Sequence, residues 1–201
     1  VADDRLDSYR GRPAFQADHP DQWRAWLAEH HDDAEPGVWL VTWRRGSGHD
    51  VPGYEPWVLE ALAHGWIDGQ ASTVDADRHA LWFTRRRRGS RWSRLSKERV
   101  ARVEAAGRMS DAGRAVVAAA EADGSWTRFD DAEALVVPDD LTAALAERPG
   151  AREHFDAFTP GVRRDVLAWI ADARRDGTRA RRVTETADLA AQGVPAHRPR
   201  R

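Results

Sequence analysis

The chain has 201 residues, 41% of them hydrophobic and 32% charged, with a formal net charge of -2. That length holds one domain with a real core, or one domain with a helical extension. With only 25 Pro plus Gly and no cysteine, the composition excludes a disordered or collagen-like polymer, disulfides, thiolate metal sites and a cysteine nucleophile.

Residues 1–18 read as an extended lead-in. Its charged opening, Val1-Ala2-Asp3-Asp4-Arg5, lacks the apolar segment of a secretory signal. His19-Pro20-Asp21 opens a helix with Trp23, Trp26, Leu27 and His30 on one face, and Glu35-Pro36-Gly37 ends it. Val38 to Trp43 is β-branched and aromatic and predicts a strand, followed by a loop at Arg45-Gly46-Ser47-Gly48. Pro56 to His64 predicts a helix stopped by Gly65. Trp66-Ile67-Asp68-Gly69 and Leu81-Trp82-Phe83-Thr84 predict an antiparallel hairpin turning at Asp75-Ala76-Asp77. Helices follow over Ser96–Ala106 and from a Ser110 cap to Gly124. Ser125 to Phe129 reads as a short extended piece. Pro138 opens a further helix in its first turn, and Pro149 precedes a short one. Thr159-Pro160 starts another, and Thr178 caps the last, which Gly193 stops.

The predicted fold class is α+β: a small antiparallel sheet of about three strands packed with helices, then a helical C-terminal segment. The expected boundaries are 1–128 for the α+β core, 129–193 for the helical segment and 194–201 for a frayed basic tail. No apolar run approaches the roughly 18–20 residues that cross a bilayer, so no membrane partner is expected. A reducing cytoplasm is the expected location.

Charge is unevenly placed. Residues 1–80 carry a net -8, residues 81–102 a net +8 and residues 103–201 a net -2. The field between Arg85 and Arg102 is therefore focused, and its arginines offer planar forks for carboxylate or phosphate. A mostly acidic chain with no RNA or DNA module argues against nucleic acid as a partner.

Several blocks stand in a telling order: Tyr54 with Glu60-Ala61-Leu62, Gly65-Trp66-Ile67-Asp68-Gly69, Phe83-Thr84-Arg85-Arg86 and Ser90-Arg91-Trp92-Ser93. Gly107-Arg108-Met109, Asp123-Gly124-Ser125-Trp126, Pro138-Asp139-Asp140-Leu141 and Thr178 to Arg182 follow. Over roughly residues 15–193 the chain resembles the YdeI/OmpD-associated, or bacteriocin-protection, family. The resemblance implies a small α+β core with a helical tail, and a bacterial role in resistance or stress protection. It implies no defined reaction. Ala63-His64, Arg85 and Ser96 stand where the family pattern has a Cys-Phe-like pair, a Pro and an Asn.

The chemistry-bearing candidates lie around these blocks. Asp68, after an apolar Trp-Ile pair, is a candidate acid–base group, with Tyr54 or His64 as its partner. A helix C-terminus would favour the protonated form of His64. If the second hairpin strand persists, Arg85 and Arg87 face one way and Arg86 and Arg88 the other. Arg85, Arg86, Ser90, Ser93 and Arg108 are candidates to hold an anion, with Trp66, Trp92 and Trp126 as aromatic walls. Trp23, Trp26, Trp39 and Trp169 fall on periodic faces and are expected in cores. The expected partner is an anionic or aromatic small molecule. A cofactor-free hydrolase, cyclase or isomerase and a protein-interaction module are the alternatives. No metal-ligand spacing, nucleotide-binding loop or nucleophile elbow occurs, so neither a cofactor nor a metal is implied, and no oligomeric state is specified.

Overall fold

A computed structural model describes residues 6–33 and 37–197. The expected helix end at Glu35-Pro36, the opening residues 1–5 and the last four residues of the basic tail lie outside that description. The chain forms two compact units: residues 1–90 with 95–123, and residues 91–94 with 124–201.

The first unit holds a five-stranded sheet: β1 (Ser8–Tyr9), β2 (Arg12–Gln16), β3 (Gly37–Trp43), β4 (Trp66–Thr73) and β5 (Arg78–Arg85). The strand order is β1-β2-β3-β5-β4. The hairpin β4–β5 is antiparallel, as expected, and β3 pairs antiparallel with β5. The expectation of about three strands understated the sheet. The stretch read as a lead-in supplies two more, joined by a tight turn in which Arg10 and Gly11 both have positive φ, the geometry of a two-residue hairpin loop. β2 runs parallel to β3, so the sheet is not wholly antiparallel. A parallel pair needs a crossover, and α1 (Pro20–His30) provides it. Its start is fixed by a reciprocal cap: the His19 side chain accepts from the Asp21 amide, and Gln22 accepts from the His19 amide at 3.2 Å.

Residues paired across the strands share a face. On one face Val38, Leu40 and Phe83 pack with Trp66 against Trp23 and Leu27 of α1 and Trp57, Val58 and Ala61 of α2 (Tyr54–Ala63). The Trp23 indole N–H donates to the Trp57 carbonyl at 3.2 Å, which joins the two helices inside the core. The other face, Trp39, Val41 and Ala80, is covered by Leu6 and Tyr9 from the β1 side. The Tyr9 hydroxyl reaches Ser72 and the Thr73 carbonyl on β4, so the first hairpin curls over the sheet.

Two helices complete this unit: α3 (Arg94–Ala105) and α4 (Asp111–Ala122). Ser110 caps α4 as expected, accepting from the Gly113 amide while donating to the Ala63 carbonyl. β5 ends at Arg85, so no strand carries Arg86 to Arg88 and the expected alternation of these arginines does not arise.

The second unit is helical: α5 (Asp130–Glu133), α6 (Asp139–Ala146), α7 (Ala151–Ala157), α8 (Pro160–Ala171) and α9 (Asp176–Ala190). Its core gathers Phe129, Leu141, Leu145, Phe155, Val166, Ile170 and Val183. Ser125 to Phe129 forms turns rather than an extended piece. Pro138 is the N-cap residue of α6, one place ahead of the expected position. α9 begins at Asp176, so Thr178 lies inside the helix instead of capping it. Trp23 and Trp39 are fully buried, whereas Trp26 and Trp169 are only half-buried.

Gly113 shows how tightly α4 meets the end of α2. A Cβ there would lie 2.2 Å from the Ala63 carbonyl oxygen and 2.6 Å from the Met109 sulfur. Gly→Ala inside a helix ordinarily stabilises by up to about 1 kcal/mol. Gly113→Ala is instead expected to destabilise by about 1–3 kcal/mol, the cost of overpacking, in urea unfolding. Gly177→Ala, with open space around it, is the control and is expected to be neutral or mildly stabilising.

Candidate functional site

The central candidates meet on the helix-covered face of the sheet. Asp68 pairs with Phe83 in register and stands just before a bulge, where pairing shifts between Asp68 and Ala71. Bulges redirect side chains, and they recur beside functional sites. Tyr54, the first residue of α2, reaches across and donates its hydroxyl to Asp68 Oδ2 at 2.5 Å. Burial, the hydrogen bond to Asp68 and the carboxylate's charge together hold the Tyr54 phenol well above its usual range. Glu55, the next residue, takes the Arg99 fork at 2.5–3.2 Å and Arg102 at 3.0 Å. The Arg99 hydrogen bond keeps Glu55 below the ordinary carboxylate range, and the Arg99 guanidinium lies 5.8 Å from the Tyr54 ring centre. The start of α2 is therefore pinned on both sides.

His64 does not join this pair. It caps the far end of α2, ten positions from Tyr54 and about 15 Å away along the axis. Its Nδ1 lies 3.0 Å from the Glu60 carbonyl. Burial, reinforced by the electrostatic effect of His31 and Arg24, pushes its pKa down to about 4. The sequence-based expectation of a protonated His64 is thus overturned, because desolvation outweighs the helix terminus.

The arginine candidates divide according to their partners. Arg85 pairs with Asp32 at 3.3 Å and donates to the Asp33 carbonyl. Arg108 pairs with Glu60, a buried carboxylate that Arg24 also grips at 2.8 and 3.0 Å. Arg86 is buried, with Ser90 and Ser96 hydroxyls at 3.5 Å. Burial pushes its pKa down to about 10, with the nearby Asp68 charge acting the other way.

The aromatic candidates are divided too. Trp66 is 3% exposed and sits in the core beside Trp26. Trp92 and Trp126 belong to the second unit, as does Ser93, and the two indoles lie 4.8 Å apart. Tyr54 with Asp68, Arg86 with Ser90, and Trp92 with Trp126 are groupings that the structure brings together.

One hollow of the first unit lies beside the tyrosine. It encloses about 340 Å³ and is lined by Leu40, Thr42, Arg44, Arg45, Val51, Pro52, Tyr54, Trp57, His79 and Leu81. Its floor is strand: Thr42 and His79 stand opposite each other on β3 and β5, with Thr42 Oγ1 to His79 Nε2 at 3.1 Å. Burial, and then the Arg44 charge, lower the pKa of His79, which favours its neutral form. Its rim is the loop after β3. Arg44 reaches the Asp75 carbonyl at 3.4 Å, and Trp43 stacks on His49 at 3.8 Å. Among the described residues neither Arg44 nor Arg45 has an acidic partner. Sequence reasoning missed Thr42, Arg44, Arg45 and His79. The available signal was a double arginine at the point where a buried strand enters a Gly-Ser-Gly loop. No group of three metal-ligating side chains occurs among the described residues.

The pairing of Tyr54 with Asp68 has a spectroscopic consequence. The chain has two tyrosines, and one of them is expected to resist ionisation in an alkaline ultraviolet titration. Two of the four causes that raise Tyr54 come from Asp68, so Asp68→Asn, which removes the carboxylate charge, should bring that step partway back toward the usual range. Unchanged titration in Asp68→Asn would contradict the contact.

Residues 15–116 match the family model described as Domain of unknown function (DUF8412). Residues 134–193 match the model described as Bacteriocin-protection, YdeI or OmpD-Associated. No curated protein and no solved structure matches the chain. The likeness read from the sequence blocks is thus found at the C-terminal end, while Tyr54, Asp68 and the hollow fall within the other match. The chain belongs, through residues 15–116, to the family described as Domain of unknown function (DUF8412), and it carries a YdeI/OmpD-associated segment behind it.

Proposed function

We propose that the protein binds an organic anion in the hollow between the sheet and the loop after β3, and that this binding serves a protective role in the cytoplasm. The observation that carries the reading is a pair of arginines with no acidic partner among the described residues, over a largely apolar cavity. Elsewhere in the unit, Arg24, Arg85, Arg99, Arg102 and Arg108 are matched by carboxylates. A guanidinium already held by a carboxylate gains little from a second anion, so the rim arginines are the available seat. Leu40, Leu81, Val51, Pro52 and Trp57 would receive the apolar body. Ligand pockets combine these features: mostly apolar walls and a few placed polar groups. The protective role draws on the bacteriocin-protection match of the C-terminal segment. The cysteine-free composition suits a reducing compartment.

A second reading is enzymatic and is favoured by the 2.5 Å bond between Tyr54 and Asp68 at the edge of this hollow. Tyr54 would take a proton from a ligand hydroxyl while passing its own to Asp68. Incubation with a bound ligand followed by mass spectrometry separates the two readings, because only an enzyme changes the ligand's mass or structure.

The binding reading is tested by thermal unfolding across a panel of small aromatic and aliphatic anions. At least one is expected to raise the melting temperature. Arg45→Ala should weaken that ligand roughly tenfold, the worth of one charge-assisted hydrogen bond. Arg85→Gln should leave it unchanged. A panel without effect, or equal losses in both variants, would overturn the reading.

A further inference from the structure

The lining of the hollow specifies its ligand more narrowly, an inference that rests on the binding reading above. The site has two arginines at the rim and a histidine–threonine pair on the floor, and among the described residues no acidic side chain lines it. Its walls include the rings of Tyr54 and Trp57. A volume of about 340 Å³ lies at the small end for ligand pockets, enough for one substituted ring and too little for a dinucleotide. A floor shared with Leu40 and Leu81 penalises a doubly charged group, because desolvation grows steeply with charge.

We propose that the hollow seats single-ring monocarboxylates, with the carboxylate against Arg44 and His79, and that His79 takes up a proton as the ligand binds. Arg44 directly follows β3, whose Thr42 lies opposite His79, and its charge already acts on the imidazole. Thr42 from β3 contacts His79, Arg44 acts on it by charge, Thr73 is its partner on β4, and Arg45 from the loop and Tyr54 from α2 line the same hollow. None supplies a negative charge. The empty site therefore holds the imidazole neutral, since burial and Arg44 both oppose its protonation.

A carboxylate entering the site reverses that balance. It brings the missing opposite charge, and the imidazolium, a donor at both ring nitrogens, gives its Nε2 proton to Thr42 Oγ1. The complex then binds more protons than its separated components. By linkage, affinity rises as pH falls through the raised pKa of His79 in the complex. It levels off below the lowered pKa of the free protein. The proton balance is simple: one proton moves from solvent to His79, and no bond in the ligand breaks.

The experiment is isothermal titration of the intact chain with benzoate, in buffers of different ionisation enthalpy, from about pH 8 to about pH 6, a range in which benzoate itself stays ionised. The expected result is binding with uptake of a fraction of a proton, at most one per ligand, and tightening as pH falls. His79→Asn should still bind benzoate, with the uptake and the pH dependence lost, and its unfolding curve verifies the fold. Benzoate binding without proton uptake, or uptake unchanged in His79→Asn, overturns the proposal. If inorganic phosphate or 1-naphthalenesulfonate binds and benzoate does not, the proposal fails while the broader anion-binding reading stands. If none of the three binds, and the anion panel is also silent, both fail.

Discussion

Pairing of guanidinium with carboxylate organises the first unit. A buried or half-buried arginine keeps its charge and must find an opposite one or strong acceptors. Glu60, itself buried, is held between Arg24 of α1 and Arg108 of the segment before α4, so one carboxylate ties three parts of the chain. Glu55 does the same for α2 and α3 through Arg99 and Arg102. The concentrated positive charge of residues 81–102 thereby becomes internal cement as well as surface field. Removing one member of such a group would leave the other desolvated and uncompensated, which is why these pairs are poor candidates for exchangeable ligand contacts.

What the pairs leave over defines the site. The rim arginines lie on the loop that leaves β3, where the sheet face passes from the packed core of Trp23 and Phe83 to the hollow. Asp68 is the hinge point between structure and chemistry. The bulge behind it interrupts strand pairing, and its carboxylate fixes the Tyr54 ring as one wall. A wall held by a short charge-assisted hydrogen bond and by the Glu55 clamp next to it arrives pre-positioned, which lowers the ordering cost of binding.

The fold was legible wherever periodicity and caps coincided. The pattern of Trp23, Leu27 and His19-Pro20 placed α1, and the β-branched run at Val38 placed β3. The first two strands were hidden inside what reads as an extended lead-in, because Ser8–Tyr9 is too short for any alternation and Gly11 and Pro13 interrupt the pattern. Thr178 carried a good capping side chain, yet the helix began two residues earlier at Asp176. At the site, Asp68 and Tyr54 were legible as candidates, but their contact depends on how α2 lies over β4, which no spacing of fourteen residues reveals. Trp66 looked like a wall because it adjoins Asp68. In a strand, the face and its depth are set by register, and that register puts Trp66 into the core. The arginines misled for a related reason: composition counts charges and cannot see which carboxylates they meet.

The central claim is that the hollow beside Tyr54, and not the arginine-rich segment with its tryptophans, receives an anion. The most direct measurement is a two-dimensional ¹⁵N–¹H NMR titration with the best-binding organic anion, with indole and arginine side-chain resonances assigned by substitution. The account predicts that the Trp57 indole and the Arg44 and Arg45 Nε signals shift together along one binding curve, while those of Trp92, Trp126 and Arg85 stay in place. Shifts confined to Trp92, Trp126 and Arg85 would contradict it.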